Sequence, residues 1–184
     1  MNNNRPNPIV RVQRVRNRTQ TGKRTSKPAR KAAKYFAYGR DVRSQAEGLQ
    51  KQQRGQWMGP GGQPYSHEEA LRWAQEMAKM HEYTFQALLS VPQGRLTAQD
   101  YGQALTQAGI LPDWRLVVHN DTAFSHAHVL FFRDGRIEKE QYLRWLAEVR
   151  QALAISEQQR LAEPEIGLLL SDEREKAMPE VELA

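Results

Sequence analysis

The chain has 184 residues, 39% hydrophobic and 26% charged, with 27 Lys+Arg against 21 Asp+Glu for a formal net charge of +6. That length fits one domain of ordinary size, with a real core and tails. The absence of cysteine excludes a disulfide scaffold, a thiolate zinc site and a cysteine nucleophile, and the apolar runs are too short for a membrane span.

The opening MNNNRPNPIV has no apolar stretch of the secretory kind, so a cytoplasmic protein is expected. The charge is split. Residues 1–54 hold 15 Lys+Arg and two acids, and residues 55–184 hold 12 Lys+Arg and 19 acids. A basic end on a mildly acidic body suggests a polyanionic partner, nucleic acid first. The alternative is a solubilising, disordered tail.

In chain order, residues 1–8 read as disordered and residues 9–15 as a short basic strand. Residues 17–27 form a basic loop. Ser26 and Pro28 open a helix that Gly39 closes, with Ala29, Ala32, Ala33 and Phe36 as its apolar stripe. Residues 55–65 are a loop by their Gly-Pro and Gly-Gly pairs. Ser66 to Glu69 is a capping box starting a helix with Ala70, Leu71, Trp73, Ala74 and Met77 on one side. Residues 83–90 alternate as a strand, and Thr97 caps a helix ended by Gly109. Residues 115–119 and 126–132 are apolar runs expected in central strands. A long helix follows residue 137, ending near Leu161 in an acidic tail, residues 161–184. The expected fold is an α/β (α+β) sandwich: one antiparallel-rich sheet with helices mainly on one face.

Three of the five histidines lie in HNDTAFSHAH. His126 and His128 leave the same face of a strand, and the loop between the strands brings His119 toward them. Three neutral imidazoles so placed suit a divalent ion such as Zn²⁺, Mn²⁺ or Ni²⁺, with a coordination position left for substrate. They could also be unrelated polar residues at a sheet end. Asp121 either accepts the second ring N–H of a ligand histidine or makes an Asx turn. His67 and His81 invite no special reading.

His119, Asp121, Thr122, His126 and His128, in the run LVVHNDTAFSHAHVLFF, resemble the metal motif of the HUH endonucleases. More narrowly, the motif is similar to that of the conjugative relaxases and plasmid mobilisation nucleases. Residues 34–40, KYFAYGR, stand where that family carries its nucleophilic tyrosine. The resemblance covers roughly residues 9–150 and implies a nuclease domain spanning residues 9–160. It also implies an activity: sequence-specific nicking and rejoining of single-stranded DNA through a 5′-phosphotyrosyl intermediate. The cofactor would be Mn²⁺, Mg²⁺ or Zn²⁺ on the three histidines, with Asp121 behind them. Tyr35 is the expected nucleophile, since it flanks the apolar stripe, and Tyr38 is the reserve. Phosphate contacts are expected from Arg11, Arg14, Arg16, Arg18, Lys23, Arg24, Lys31, Lys34 and Arg40. The partners would be single-stranded DNA at a nick or transfer origin and auxiliary DNA-processing proteins, with no membrane insertion. Alternatives are a replication initiator of the same chemistry, a non-catalytic DNA-binding module and a three-His hydrolase of small substrates. The basic segment argues against the last.

Overall fold

Apolar and charged residues alternate at the start of the chain and form strand β1 (Ile9–Arg16). The computed structural model describes residues 7–39, 53–111, 113–120 and 123–176, with side chains to residue 162. β1 pairs along its whole length with β4 (Tyr83–Ser90), antiparallel, from Ile9 opposite Ser90 to Arg16 opposite Tyr83. The sheet continues through β6 (His126–Arg133) and β5 (Trp114–His119) to β2 (Trp57–Met58) and β3 (Pro64–Tyr65). Its order is β1-β4-β6-β5-β2-β3, every neighbouring pair antiparallel. Four α-helices accompany it among the described residues: α1 (Lys27–Tyr38), α2 (His67–Met80), α3 (Ala98–Ala108) and α4 (Lys139–Lys176). None is long and apolar enough to cross a membrane.

The helices do not gather on one face, contrary to the sequence expectation. Side chains alternate across a strand, and the central strands are apolar on both sides. Ala127, Val129 and Phe131 of β6 pack with Trp114, Leu116, Leu105 and Trp145 in one core, under α3 and α4. Leu130 and Phe132 of the same strand pack with Val117, Phe36, Ala33 and Ala74 in a second core, under α1 and α2. The result is helix layers on both sides of one sheet.

Two further expectations need correction. Residues 55–65 are not wholly a loop: Trp57 and Met58 pair with Val117 and Leu116, and Trp57 is buried. A two-residue strand is too short for periodicity to reveal it. The last helix does not end near Leu161 but runs to Lys176. Residues 162–176, AEPEIGLLLSDEREK, hold mostly Ala, Glu, Leu, Arg and Lys, good helix formers whatever their charge, which outnumber Pro164 and Gly167. Residues 1–6 of the expected disordered terminus, and residues 177–184 of the acidic tail, lie outside the described residues.

One buried polar residue anchors the basic loop after β1. Asn17 is 0% exposed. Its side-chain amide donates to the His81 carbonyl at 3.0 Å, and its amide oxygen accepts from the Thr84 hydroxyl at 2.6 Å. Its backbone N–H donates to Glu82 at 2.7 Å, and its carbonyl accepts from Thr25 at 3.1 Å. The Arg16–Glu82 ion pair at 2.7 Å and the Arg24 bond to the His81 carbonyl at 2.7 Å lie beside it. Asn17→Ala leaves buried partners unmet, at a cost of about 1–3 kcal/mol. The thermal midpoint is expected to fall by about 3–10 °C, as followed by circular dichroism.

Candidate metal centre

β5 ends on His119 and β6 begins on His126, and the antiparallel register sets these two residues opposite each other. Opposed residues share a face, and so does His128, two positions further on. The three rings meet edge to face, with centroids 5.1, 5.1 and 5.3 Å apart. One nitrogen from each lies within 4.8 Å of the others. His119 is 1% exposed, and His126 and His128 are half-buried.

The C-terminus of α1 holds this cluster. The last carbonyls of a helix have no partner within it. Here the Tyr35 carbonyl accepts from the Gly39 N–H at 2.7 Å and the Ala37 carbonyl from the Arg54 N–H at 2.8 Å. The Phe36 carbonyl accepts from His119 Nε2 at 2.8 Å. A carbonyl can only accept, so Nε2 carries the proton and Nδ1 the lone pair. By the same argument His126, whose Nδ1 donates to the Phe124 carbonyl at 3.2 Å, keeps its lone pair on Nε2. The Phe36 ring also stacks on His128, centroids 4.5 Å apart. Burial lowers the His128 pKa to about 3, aided by the charges of His119, His126 and Arg54. His128 is thus neutral at ordinary pH, and neutral imidazoles are what a divalent ion requires. The donor set therefore fits a metal.

The hairpin between β5 and β6 is fixed from the opposite side of the sheet. Ser125 is buried beneath it. Its hydroxyl accepts from the Leu96 N–H at 3.2 Å and the Tyr101 hydroxyl at 3.1 Å, and donates to the Leu96 carbonyl at 3.4 Å. Its carbonyl accepts from Val91 N–H at 3.2 Å and Ser90 Oγ at 3.1 Å. Glu157 on α4 binds the N–H groups of Gln93 and Gly94 at 2.6 and 2.9 Å. The segment before Leu96 is thereby held as well.

A cleft of about 980 Å³ leads from β1 across β4 to His128. Tyr35 lines it, 40% exposed, its ring 5.6 Å from that of His128. Tyr38 does not line it. It sits half-buried with its ring against His67, centroids 4.9 Å apart. At this last turn of α1, α2 covers it.

The expected phosphate-binding cations separate by face. Arg11, Arg18 and Lys31 line the cleft, together with Lys27, Gln13 and Gln86, which composition alone did not single out. Arg14 lies over Tyr83, 5.2 Å from the ring centroid, and Arg16 pairs with Glu82. Both project from the other face of β1, because an odd spacing from Arg11 reverses the side. Lys23, Arg24 and Lys34 are exposed outside the cleft lining. Arg40 and Asp121 lie outside the described residues.

His67 and His81 turn out to have defined partners. His67 Nδ1 accepts from Trp57 Nε1 at 3.2 Å, and its pKa is lowered by burial and by Lys34. His81 Nδ1 meets Asp134 at 3.0 Å.

Comparison with protein-family models, curated proteins and solved structures finds no match for this chain.

Each of His119→Ala, His126→Ala and His128→Ala is expected to remove bound Mn²⁺ or Zn²⁺, measured by elemental analysis after dialysis, while far-ultraviolet circular dichroism is retained. Ser125→Ala is expected to weaken metal binding by about tenfold, at the low end of the effects of residues behind metal ligands. Full metal content in all three histidine variants would eliminate the site.

Proposed function

We propose that this chain nicks and rejoins single-stranded DNA, with Tyr35 as nucleophile and a divalent ion on His119, His126 and His128. This is the chemistry of an HUH-type transesterase of the relaxase or mobilisation kind. The observation that carries the reading is one cleft lined by an exposed tyrosine and a run of cations that reaches the imidazole cluster at His128. A polycationic cleft suits a phosphate backbone, whereas a small neutral substrate has no use for it.

When bound, the ion would supply polarisation of the phosphoryl oxygens and stabilisation of transition-state charge. The chain's residues supply the rest. Arg11, Arg18 and Lys31 hold the backbone along the cleft. Tyr35 Oη attacks phosphorus in line: the Tyr O–P bond forms, the P–O3′ bond breaks, and the phenol proton is balanced by protonation of the 3′-oxygen. One phosphodiester is exchanged for another, so rejoining by the 3′-hydroxyl needs no nucleotide. His119 and His128 fix the last turn of α1, one through the Phe36 carbonyl and one through its ring, and so fix where Tyr35 stands.

Incubation of the full chain with single-stranded oligonucleotides and Mn²⁺ is expected to yield a denaturant-stable protein–DNA adduct, mapped to the peptide with Tyr35. Tyr35→Phe keeps the ring and is expected to abolish the adduct while retaining DNA affinity and metal. Tyr38→Phe is expected to keep it. If no adduct forms with Mn²⁺, Mg²⁺ or Zn²⁺ on a broad oligonucleotide pool, the enzyme reading gives way to a binding module.

The two faces of β1 provide a second check. Replacing Arg11 and Lys31 with Ala is expected to lower the salt dependence of single-strand binding by about 1.4 in log–log slope, at roughly 0.7 per phosphate. Replacing Arg14 and Arg16 is expected to leave the slope unchanged. Equal slopes for both pairs, read by fluorescence anisotropy, would remove the cleft as the binding path.

A further inference from the structure

Of the chain's four Trp, six Tyr and five Phe, only Tyr35 and Phe124 are exposed, at 40% and 58%. Both flank the histidine cluster. Tyr35 stands against His128 on the cleft side, and Phe124 stands at the hairpin tip, its carbonyl bound to the His126 ring. Tyr35 has a role in the proposed chemistry and Phe124 has none. An exposed phenyl ring costs free energy through its contact with water, and the other Phe side chains are all buried.

The backbone that carries this ring is firmly held. The next residue, Ser125, is bonded to Leu96, Tyr101, Val91 and Ser90 beneath the sheet end. The preceding carbonyl is tied to His126. Phe124 is therefore presented outward beside His126 of the triad, and it is not among the residues that line the cleft. A single strand with one phosphate at the triad would have a flanking base beside His126, where Phe124 stands. Every base has a π face, and an aromatic ring held in place provides a stacking platform for one.

We infer that Phe124 is a nucleobase-stacking site, holding a base of the strand that flanks the phosphate at the metal centre. The inference rests on the single-strand reading above and adds to it a base contact where the cations supply only backbone contacts.

The test compares the affinity of the full chain, by fluorescence anisotropy, for a labelled 20-mer of thymidylate and for a 20-mer of abasic spacers with the same phosphates. The wild-type chain is expected to prefer the thymidylate strand. Phe124→Ala is expected to weaken thymidylate binding by about 5- to 100-fold, the equivalent of one stacked base. Binding to the abasic strand is expected to stay unchanged, and so is Mn²⁺ content by elemental analysis. Phe124→Trp is expected to keep the preference. Retention of the full preference by Phe124→Ala overturns the inference and leaves the single-strand reading standing. Equal weakening toward both strands, or loss of Mn²⁺, also overturns it, since the side chain would then serve the hairpin and not a base. If the wild-type chain binds neither strand, the single-strand reading fails and the inference with it.

Discussion

A single buried hydrogen bond, from His119 Nε2 to the Phe36 carbonyl, joins the end of α1 to the end of β5 across 83 residues of sequence. It settles two matters together. It gives a partner to a carbonyl that the helix end leaves unsatisfied, and it fixes the tautomer and the orientation of a candidate ligand. The Phe36 ring, stacked on His128, makes the contact two-pointed. Since Tyr35 immediately precedes Phe36 in the chain, its place relative to the cluster is fixed by the same packing. Removing the Phe36 ring would therefore disturb the second core, the ligand set and the tyrosine at once.

The sheet makes this arrangement possible through register. Antiparallel pairing of β5 and β6 sets His119 opposite His126, and a slip of one residue would turn the β6 histidines to the other face. Each strand is apolar on both sides, so a slip would also have to rebuild two cores. The hairpin tip is bonded through Ser125 to α3 and to the segment before it. Register, packing and tip hydrogen bonds thus all favour the same placement of three side chains.

Much of this was readable in the sequence because its signals are local. The capping box at Ser66–Glu69, the alternation of residues 83–90 and the His-x-His pair each depend on neighbours a few residues away, and each element stands as expected. What was not readable depends on distant contacts. Composition cannot tell which face of β1 looks into a cleft, so Arg11 and Arg14 looked equivalent until β4 and α1 were in place. Nor could Phe36 be seen as a link between α1 and the histidines, since an alanine-rich stripe predicts only that it is buried. The second helix layer was missed for a related reason. Apolar residues on both sides of β5 and β6 did imply two covers, but the Gly-Pro and Gly-Gly pairs of residues 55–65 hid the small strands that carry the sheet out to α2.

The distribution of charge around the cluster follows from the need to keep two positive partners apart. A divalent ion and a row of arginines repel one another, and in a half-buried site that repulsion is weakly screened. The candidate ligand His128 is neutral: burial first, then the neighbouring rings and Arg54, keep it unprotonated. The cleft cations Arg11, Arg18, Lys27 and Lys31 come from β1, the following loop and the first turns of α1, while His128 stacks on that helix's last turn and His119 bonds to it. Helix α1 thus runs from a cationic start to a C-terminal end whose partial negative charge faces the histidines. On the proposed reading, a phosphate backbone lying along the cleft would neutralise the cations and then offer its own oxygens at the cluster. Each partner would reduce the electrostatic cost of the other, so metal and single strand would bind with positive, reciprocal coupling. The sequence already shows the coarse form of this design in its basic first 54 residues. The fold divides that charge, directing part of it to the cleft and part to ion pairs such as Arg16–Glu82 on the other side of the sheet.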